Sequence, residues 1–272
     1  MTNDDFDYIK LFIKNHAAIV LEKGKEYLVQ ARLTPIAKEY GMTSVDALIQ
    51  ELKNKPTELL KQKIVDAMTT NETLFFRDSH PFELLKNVVI PKLVESKMKE
   101  KKLVIWCAAA SSGQEPYTIA IILKELEPLL QGWTIKFVAS DIAENMLTRA
   151  KEGIYSQLEV NRGMPLPYLL KYFEKEGNAW RIRKELRDMI EYKKVNIVKE
   201  WPLSQVDIVF MRNILIYFDL ETKKEIFKRL STIMTRDSYL FLGGSETLLG
   251  LNCDFERLGV DRVPCYQLKK TN

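Results

Sequence analysis

The fold of this chain is decided by the stretch Leu103-Val104-Ile105-Trp106-Cys107-Ala108-Ala109-Ala110-Ser111-Ser112-Gly113-Gln114-Glu115-Pro116-Tyr117. An apolar run ends there in a turn of small residues, and Pro116 is well suited to the first turn of a following helix. The pattern is typical of a buried strand, a tight turn and a helix. In an open α/β sheet, the crevice between such a strand and its helix is where a nucleotide-like ligand binds.

The turn carries a carboxylate where nucleotide-binding turns usually carry glycines or a lysine. It lacks the GxGxxG spacing of a dinucleotide site, and no Lys-Ser or Lys-Thr follows a glycine to bind phosphates. Glu115 instead favours a ligand with a cationic group. S-adenosylmethionine, which has an α-ammonium and a sulfonium, is such a ligand.

Composition describes an ordinary globular chain. Of its 272 residues, 46% are hydrophobic and 29% are charged, and a net charge of +4 does not indicate whole-molecule attraction to nucleic acid. No apolar run approaches the ~20 residues that cross a bilayer, and the first residues lack the pattern of a signal peptide. Cys107, Cys253 and Cys265 show no paired spacing, which fits a reducing cytoplasm. His16 and His80 lie too far apart to indicate a histidine-based metal site or a Ser-His-Asp triad, so we expect no metal and chemistry supplied by a cofactor.

Two kinds of pattern divide the chain. Residues 1–70 place apolar side chains at spacings of three and four, which predicts a small helical bundle. From Leu103 onward strands alternate with helices, which predicts a mainly parallel sheet covered by helices on both faces. Between about 153 and 195, prolines and the strand-like runs Ala179–Arg183 and Met189–Lys193 predict a small inserted subdomain. The predicted strands of the sheet are Leu103–Ala108, Ile135–Ser140, Asp207–Met211, Tyr239–Leu242 and Pro264–Leu268, and the predicted helices are Tyr117–Glu125, Ala143–Lys151 and Leu220–Thr235.

Polar residues follow several of these strands, where a ligand crevice is expected. Asp141 is placed to bind ribose hydroxyls, or to cap the next helix, and the two roles are compatible. Arg212 and Asn213 come directly after a buried strand, and Tyr217 lies close enough along the chain to reach the same cavity, unless it is a core tyrosine. Asn196 could lay its amide against an adenine edge, which alone is a weak signal.

Three further segments allow a purely structural reading. The run Asn71–Asp78 reads as a capped helix start with a hydrophobic staple, although its Arg77 could make bidentate contacts to a carboxylate. The turn Gly243–Glu246 can be simply a turn. Cys107 is most simply a small core residue.

Together these motifs resemble the chemotaxis receptor methyltransferases of the CheR type, in the family's order and over nearly the whole chain. The matching residues are Asn71–Arg77, Ser112–Thr118, Ala139–Asp141, Asn161–Gly163, Leu186–Met189, Asn196 and Met211–Phe218. The resemblance implies an α/β fold: an all-helical domain over 1–70, then a doubly wound, Rossmann-like methyltransferase domain over 71–272 that carries a small antiparallel β subdomain at about 153–195. It implies a cytoplasmic enzyme that uses S-adenosylmethionine to methylate glutamate carboxylates on chemoreceptor helices and releases S-adenosylhomocysteine.

The resemblance also assigns roles to residues. Arg77, Arg212 and Tyr217 fall where the family orients the incoming carboxylate. The positions that match the family's cofactor contacts are Asn71, Thr73, Arg77, Glu115, Asp141, Asn196, Ile197, Met211, Arg212 and Asn213. The family usually has a second acidic residue where this chain has Gln114, and commonly a different pattern of small residues where it has Cys107–Ala110.

The helical domain offers basic residues that fit either an ordinary solvated face or a surface for an acidic receptor helix. These are Lys23, Lys25, Arg32, Lys38, Lys53, Lys55, Lys61 and Lys63. We expect a monomer that binds neither nucleic acid nor a membrane interior. Two rivals stay open, namely an S-adenosylmethionine enzyme with another acceptor, such as RNA or a small molecule, and a non-catalytic receptor adaptor. An NAD-linked oxidoreductase is least supported, because the glycine fingerprint is absent.

Overall fold

A computed structural model describes residues 1–199, 201, 203–259 and 263–269. The chain packs as two units. The first contains Met1–Thr70 together with Tyr217–Thr222, and the second contains Asn71–Ile216 and the described residues from Lys223 onward. Among the described residues, no helix has the length and apolar character that a membrane crossing requires.

The first unit is the predicted helical bundle. Ser or Thr side chains accept a backbone N–H at the start of three of its helices, at Thr2, Ser44 and Thr57. Ile9 and Leu48 are fully buried where the helices pack. The four helices are α1 (Asn3–Ala17), α2 (Glu26–Glu39), α3 (Val45–Asn54) and α4 (Glu58–Met68).

Four of the predicted basic-face residues bond within this bundle. Lys53 donates to the buried Asp5 carboxylate at 2.6 Å, and this hydrogen bond is the main cause that lowers the pKa of Asp5. Arg32 donates to the carbonyls of Met68 and Thr69 at 2.6 and 3.0 Å. Those contacts favour a structural role for these side chains. The other two pairs are Lys61 with Glu58 and Lys63 with Glu39.

A seven-stranded sheet forms the middle of the second unit, in the order β6-β2-β1-β7-β8-β10-β9. Every strand runs parallel to the others except β10, which is antiparallel to both of its neighbours. The strands are β1 (Lys102–Ala108), β2 (Thr134–Asp141), β6 (Ile190–Lys194), β7 (Val206–Met211), β8 (Met234–Phe241), β9 (Phe255–Arg257) and β10 (Cys265–Leu268). The helices around them are α5 (His80–Leu84), a π-helical turn (Leu85–Val89), α6 (Ile90–Ser96), α7 (Gln114–Glu125), α8 (Glu144–Glu152) and α12 (Leu220–Ile233), and the mainly parallel α/β architecture is confirmed.

The inserted subdomain is smaller than predicted. A separate antiparallel sheet has the order β3-β5-β4. The assignment of Met189–Lys193 to the insert is wrong, because β6 lies parallel to β2 in the main sheet, with the buried Ile190 opposite Phe137. The elements of the insert are β3 (Ile154–Ser156), α9 (Gln157–Asn161), α10 (Leu166–Tyr172), β4 (Phe173–Glu176), β5 (Ala179–Ile182) and α11 (Lys184–Arg187).

Aromatic side chains fill the core beside the central strands. Phe210 of β7 stacks on Phe241 of β8 with ring centroids 4.4 Å apart, and Phe82 also stacks on Phe210, at 5.8 Å between centroids. This packing fixes β7 and β8 next to each other. Their carboxyl ends lie at the same sheet edge as that of β1, which is the edge where open α/β sheets bind ligands.

Candidate functional site

The turn between β1 and α7 is held in a left-handed backbone path. Ala109, Ser111 and Gly113 have φ values of +62°, +49° and +95°. The N–H of Ser111 donates to Asp141 Oδ2 at 2.7 Å, so the end of β2 fixes the turn at the end of β1. Non-glycine residues rarely adopt positive φ, and their occurrence at a strand end is a common sign of a functional turn.

Gly113 is required at its position for a second reason. A Cβ atom there would lie 2.9 Å from both Ala150 Cβ and the hydroxyl of Tyr155. The Tyr155 hydroxyl donates to the carbonyl of Ser112 at 2.7 Å. The small sheet therefore supports the turn directly, and no larger residue fits between them.

A buried ion pair joins the first turn of α7 to the end of β7. Arg212 Nη1 donates to Glu115 Oε2 at 2.6 Å, and the thiol of Cys107 lies 3.3 Å from Glu115 Oε1. The side chains of Arg212 and Glu115 are only 1% and 11% exposed. Burial, and secondly the Glu115 carboxylate, raises the pKa of the Cys107 thiol well above its usual range. Cys107 is thus a protonated core residue, as expected, that also contacts the candidate site.

Arg212 makes further contacts in the segment before α5. Its Nη2 donates to the carbonyl of Arg77 at 3.0 Å and to Asp78 Oδ2 at 2.8 Å, and its guanidinium lies 5.4 Å from the ring centre of Phe82. Its Nε is buried and has no hydrogen-bond partner among the described residues. A buried donor without a partner is costly, and so this atom is a candidate donor to a bound group.

The segment Asn71–Asp78 is not a capped helix start, and that interpretation is wrong. The segment runs as turns, with Phe76 and Asp78 at φ +49° and +64°, and the first helix begins only at His80. Ser111 Oγ donates to the carbonyl of Asn71 at 2.7 Å, which places the segment beside the β1–α7 turn. The half-buried Arg77 side chain donates to the carbonyl of Glu72 at 3.0 Å, and so Arg77 meets Arg212 through its main chain.

Asp141 and Asn196 both bond to nearby backbone. Besides Ser111, Asp141 accepts the N–H of Ala143 through Oδ1 at 2.9 Å, so it holds the turn and the start of the next helix together. Asn196 Oδ1 accepts the N–H of Val198 at 3.2 Å, two residues after the end of β6.

The loop after β7 is fixed by Glu246, a residue of the turn Gly243–Glu246. Glu246 accepts the N–H groups of Asn213 at 2.8 Å and Leu215 at 2.7 Å. Met211, at the end of β7, is fully buried. No local sequence signal links Glu246 to this loop.

The predicted residues do not all meet at one place. The contacts above bring together Asn71, Arg77, Glu115, Asp141 and Arg212, linked through the β1–α7 turn and the Glu115–Arg212 pair. Tyr217 ends a short 3₁₀ helix (Leu215–Tyr217) and packs with the helical unit, where its carbonyl accepts the N–H of Val20 at 2.9 Å. The cofactor and acceptor roles of all the predicted site residues stay predictions, including those of Thr73, Ile197 and Tyr217.

Two family models match the chain over almost its whole length. Residues 4–69 match the model described as CheR methyltransferase, all-alpha domain, and residues 71–263 match CheR methyltransferase, SAM binding domain. The chain belongs to the CheR methyltransferase family. Its helical unit and its sheet unit thus correspond to the two domains of that family.

Relatives of the CheR chain carry matching names. It is 38% identical to "Chemotaxis protein methyltransferase Cher2" of Pseudomonas putida, over 98% of each chain. It is 39% identical to "Chemotaxis protein methyltransferase 1" of Pseudomonas aeruginosa, again over 98% of each. A "Chemotaxis protein methyltransferase" of Borreliella burgdorferi is 34% identical over 92% of this chain and 90% of that one.

Gln114, where the family resemblance leads us to expect a second acidic residue, bonds within the turn. The buried Gln114 accepts the hydroxyl of Ser112 through Oε1 at 2.8 Å, and its carbonyl accepts the hydroxyl of Thr118. The Thr118 hydroxyl in turn accepts the N–H of Phe76 at 3.1 Å. The β1–α7 turn therefore ends in the neutral amide of Gln114, followed by the acidic side chain of Glu115.

Proposed function

We propose that this chain transfers a methyl group from S-adenosylmethionine to glutamate side-chain carboxylates on the cytoplasmic helices of chemoreceptors. The products are glutamate 5-O-methyl esters and S-adenosylhomocysteine, and the reaction serves chemotactic adaptation. The observation that carries the proposal is the buried Glu115–Arg212 pair beside Asp141 at the carboxyl edge of the sheet. The names of the relatives support the chemoreceptor as acceptor.

The residues at this edge fit S-adenosylmethionine. Its amino-acid end carries an ammonium and a carboxylate, and Glu115 and Arg212 offer the two opposite charges side by side. The unpartnered Nε of Arg212 supplies a donor for that carboxylate. Asp141 supplies an acceptor for the ribose, and we assign adenine contacts to Asn196 and Ile197. Asn71, Thr73, Met211 and Asn213 complete the proposed cofactor site.

The chemistry that the cofactor supplies when bound is a methyl group activated by a sulfonium. The acceptor needs no general base, because a glutamate with an ordinary pKa near 4.3 is already ionised at neutral pH. The protein has to orient one carboxylate oxygen and exclude water, and orientation of this kind can be worth effective molarities of ~10⁵ M or more.

We assign acceptor orientation to Arg77 and Tyr217, with Arg212 between cofactor and acceptor. Arg77 uses Nη1 on a backbone carbonyl in this structure and has further N–H donors for a carboxylate. A single contact to one oxygen holds the glutamate without neutralising the oxygen that attacks.

The proposed acceptor places the enzyme in the cytoplasm, where we expect it to act as a monomer. We assign receptor docking to the helical domain through its exposed basic residues, such as Lys23 and Lys38. Steering of this kind raises encounter rates and weakens with salt.

A methyl-release assay tests this function. The purified chain is incubated with methyl-labelled S-adenosylmethionine and membranes that contain chemoreceptors, and the products are treated with mild alkali. We expect label on a receptor-sized band that alkali releases as volatile methanol, the signature of a carboxyl methyl ester. Alkali-stable label would indicate another acceptor. S-adenosylhomocysteine binding without any labelled receptor would indicate a non-catalytic adaptor.

A further inference from the structure

Glu246 is a buried carboxylate whose hydrogen-bond partners, within the described part of the chain, are backbone N–H groups. It is 5% exposed and lies just after β8, in the turn Gly243–Glu246. Oε2 accepts from Gly243 at 2.7 Å and from Asn213 at 2.8 Å, and Oε1 accepts from Leu215 at 2.7 Å. An ionised carboxylate is well suited to this position, because it is acceptor-only and hydrogen bonds to a charged group are the stronger ones.

Gly243 and Glu246 pack closely against the loop after β7. A Cβ atom on Gly243 would lie 2.7 Å from Asn213 Nδ2 and 2.9 Å from Asn213 N, which no side chain tolerates. Asn213 itself has φ +58°, a conformation that non-glycine residues adopt only when their surroundings hold them there. The same Cβ atom on Gly243 would also lie 2.8 Å from Glu246 Oε2, so the close fit at Gly243 and the bonds to Glu246 together constrain Asn213.

Asn213 directly follows Arg212, so the backbone at Asn213 fixes the position of the Arg212 Cα atom from which the side chain extends. The guanidinium reaches Glu115 at 2.6 Å and Asp78 at 2.8 Å, and its buried Nε has no hydrogen-bond partner in the ranges that the structure describes. A shift of the backbone at Asn213 would break the contacts of Arg212 with Glu115 and Asp78, since the buried Arg212 side chain has little room to move and restore them.

We propose that Glu246 is a positioning residue that holds the loop after β7, so that Arg212 stays in place to bind the α-carboxylate of the cofactor. The part about the cofactor rests on the proposed function. The part about the loop stands on the geometry alone. Glu246 touches no reacting group and acts through Arg212.

The test compares Glu246→Gln with Glu256→Gln, the same change at an exposed residue of β9. Glutamine brings an NH₂ donor to at least one N–H that Glu246 now accepts. In the full-length E246Q chain we expect hydrogen exchange at Asn213 and Leu215 to speed up by about tenfold or more, with a similar rise in the Kd for S-adenosylhomocysteine. Exchange in α1 to α4 stays as in the wild type, and E256Q matches the wild type in both measurements.

If Asn213 and Leu215 exchange hydrogen in E246Q at the same rate as in the wild type, the proposal is overturned. Faster loop exchange with unchanged S-adenosylhomocysteine affinity also overturns it, because the loop would then be held without positioning Arg212. If E246Q does not fold, Gly243→Ala displaces the same loop and is judged by the same two measurements. Absence of S-adenosylhomocysteine binding by the wild type contradicts the proposed function instead, and loop exchange still decides whether Glu246 holds the loop.

Discussion

Two loops at the carboxyl edge of the sheet carry the candidate site, and they are held in different ways. The β1–α7 turn requires small residues, chiefly Gly113 with φ +95°, and it is also held by Asp141 through the N–H of Ser111 and by Tyr155 through the carbonyl of Ser112. The loop after β7 takes its shape from a distant side chain, because Glu246 accepts the N–H groups of Asn213 and Leu215. The turn at Gly113 therefore tolerates little change in side-chain size, and the loop after β7 is sensitive to the loss of the Glu246 acceptor.

The largest effect is expected from Gly113→Ala. The added methyl would lie 2.9 Å from Ala150 and Tyr155 at a positive φ, and strain together with overpacking should lower the free energy of unfolding by about 2–4 kcal/mol. We also expect affinity for S-adenosylhomocysteine to fall by about 100-fold or more, because the turn beside Asp141 must move. Denaturant unfolding and calorimetry measure the two quantities.

Gly177→Ala is the matched control. Gly177 also has a positive φ, of +57°, but a Cβ there meets nothing within 4 Å. Gly177→Ala should lower the free energy of unfolding by only about 1 kcal/mol and leave the affinity for S-adenosylhomocysteine unchanged. Equal effects of the two substitutions would mean that the turn is not tightly fitted.

Arg212→Lys tests the second loop. Lysine keeps the charge but cannot reach Glu115, Asp78 and the Arg77 carbonyl with one planar group. We expect S-adenosylhomocysteine affinity to fall by about 30- to 100-fold, equivalent to the loss of one or two charged hydrogen bonds. In the double variant with Glu246→Gln, the loss of binding free energy for S-adenosylhomocysteine should be smaller than the sum of the two single losses, since both substitutions act on the same guanidinium. Strict additivity would argue that the two residues act separately.

Tyr217→Phe has a smaller effect that falls on a different step. Removal of the hydroxyl should lower turnover by about tenfold and change S-adenosylhomocysteine affinity by less than about twofold, because we assign this tyrosine to the acceptor. The control is Tyr27→Phe, at an exposed residue of the helical unit. Unchanged turnover in Y217F would remove Tyr217 from the mechanism.

The smallest effect is expected at the cysteines. Burial raises the pKa of Cys107 well above its usual range and that of Cys265 to about 12, so both thiols stay protonated at pH 8. Iodoacetamide at pH 8 should therefore label the half-buried Cys253 alone in the folded chain, as peptide mass spectrometry can show. Labelling of Cys107 at the rate of Cys253 would show that the β1–α7 turn opens.

The difference between the two loops also explains how much of the site could be predicted. Gly113, Glu115 and Pro116 are contiguous, and a turn between a buried strand and a helix is visible in any sequence that carries it. Glu246 lies far from Asn213 along the chain, and nothing in Gly-Gly-Ser-Glu shows which loop it meets. The fold was predictable because alternation of strands and helices is a local pattern repeated many times.

The two wrong predictions have the same origin. In β6 only Ile190 is buried, and so the strand pattern could not show which sheet β6 joins. The aromatics of Asn71–Asp78 read as a helix staple, but Phe75 packs edge-on against Tyr155 of the insert, at 4.9 Å between centroids. In both segments a partner distant in sequence decides the structure.

The most direct test of the account is a calorimetric titration of the full-length chain with S-adenosylhomocysteine and with 5′-methylthioadenosine, which lacks the amino-acid end. If Glu115 and Arg212 bind that end, the wild type should prefer S-adenosylhomocysteine by about 100-fold or more, as two charge-assisted contacts require. Glu115→Gln should lose most of this preference. Equal affinity of the wild type for both ligands would contradict the assignment of the Glu115–Arg212 pair to the cofactor.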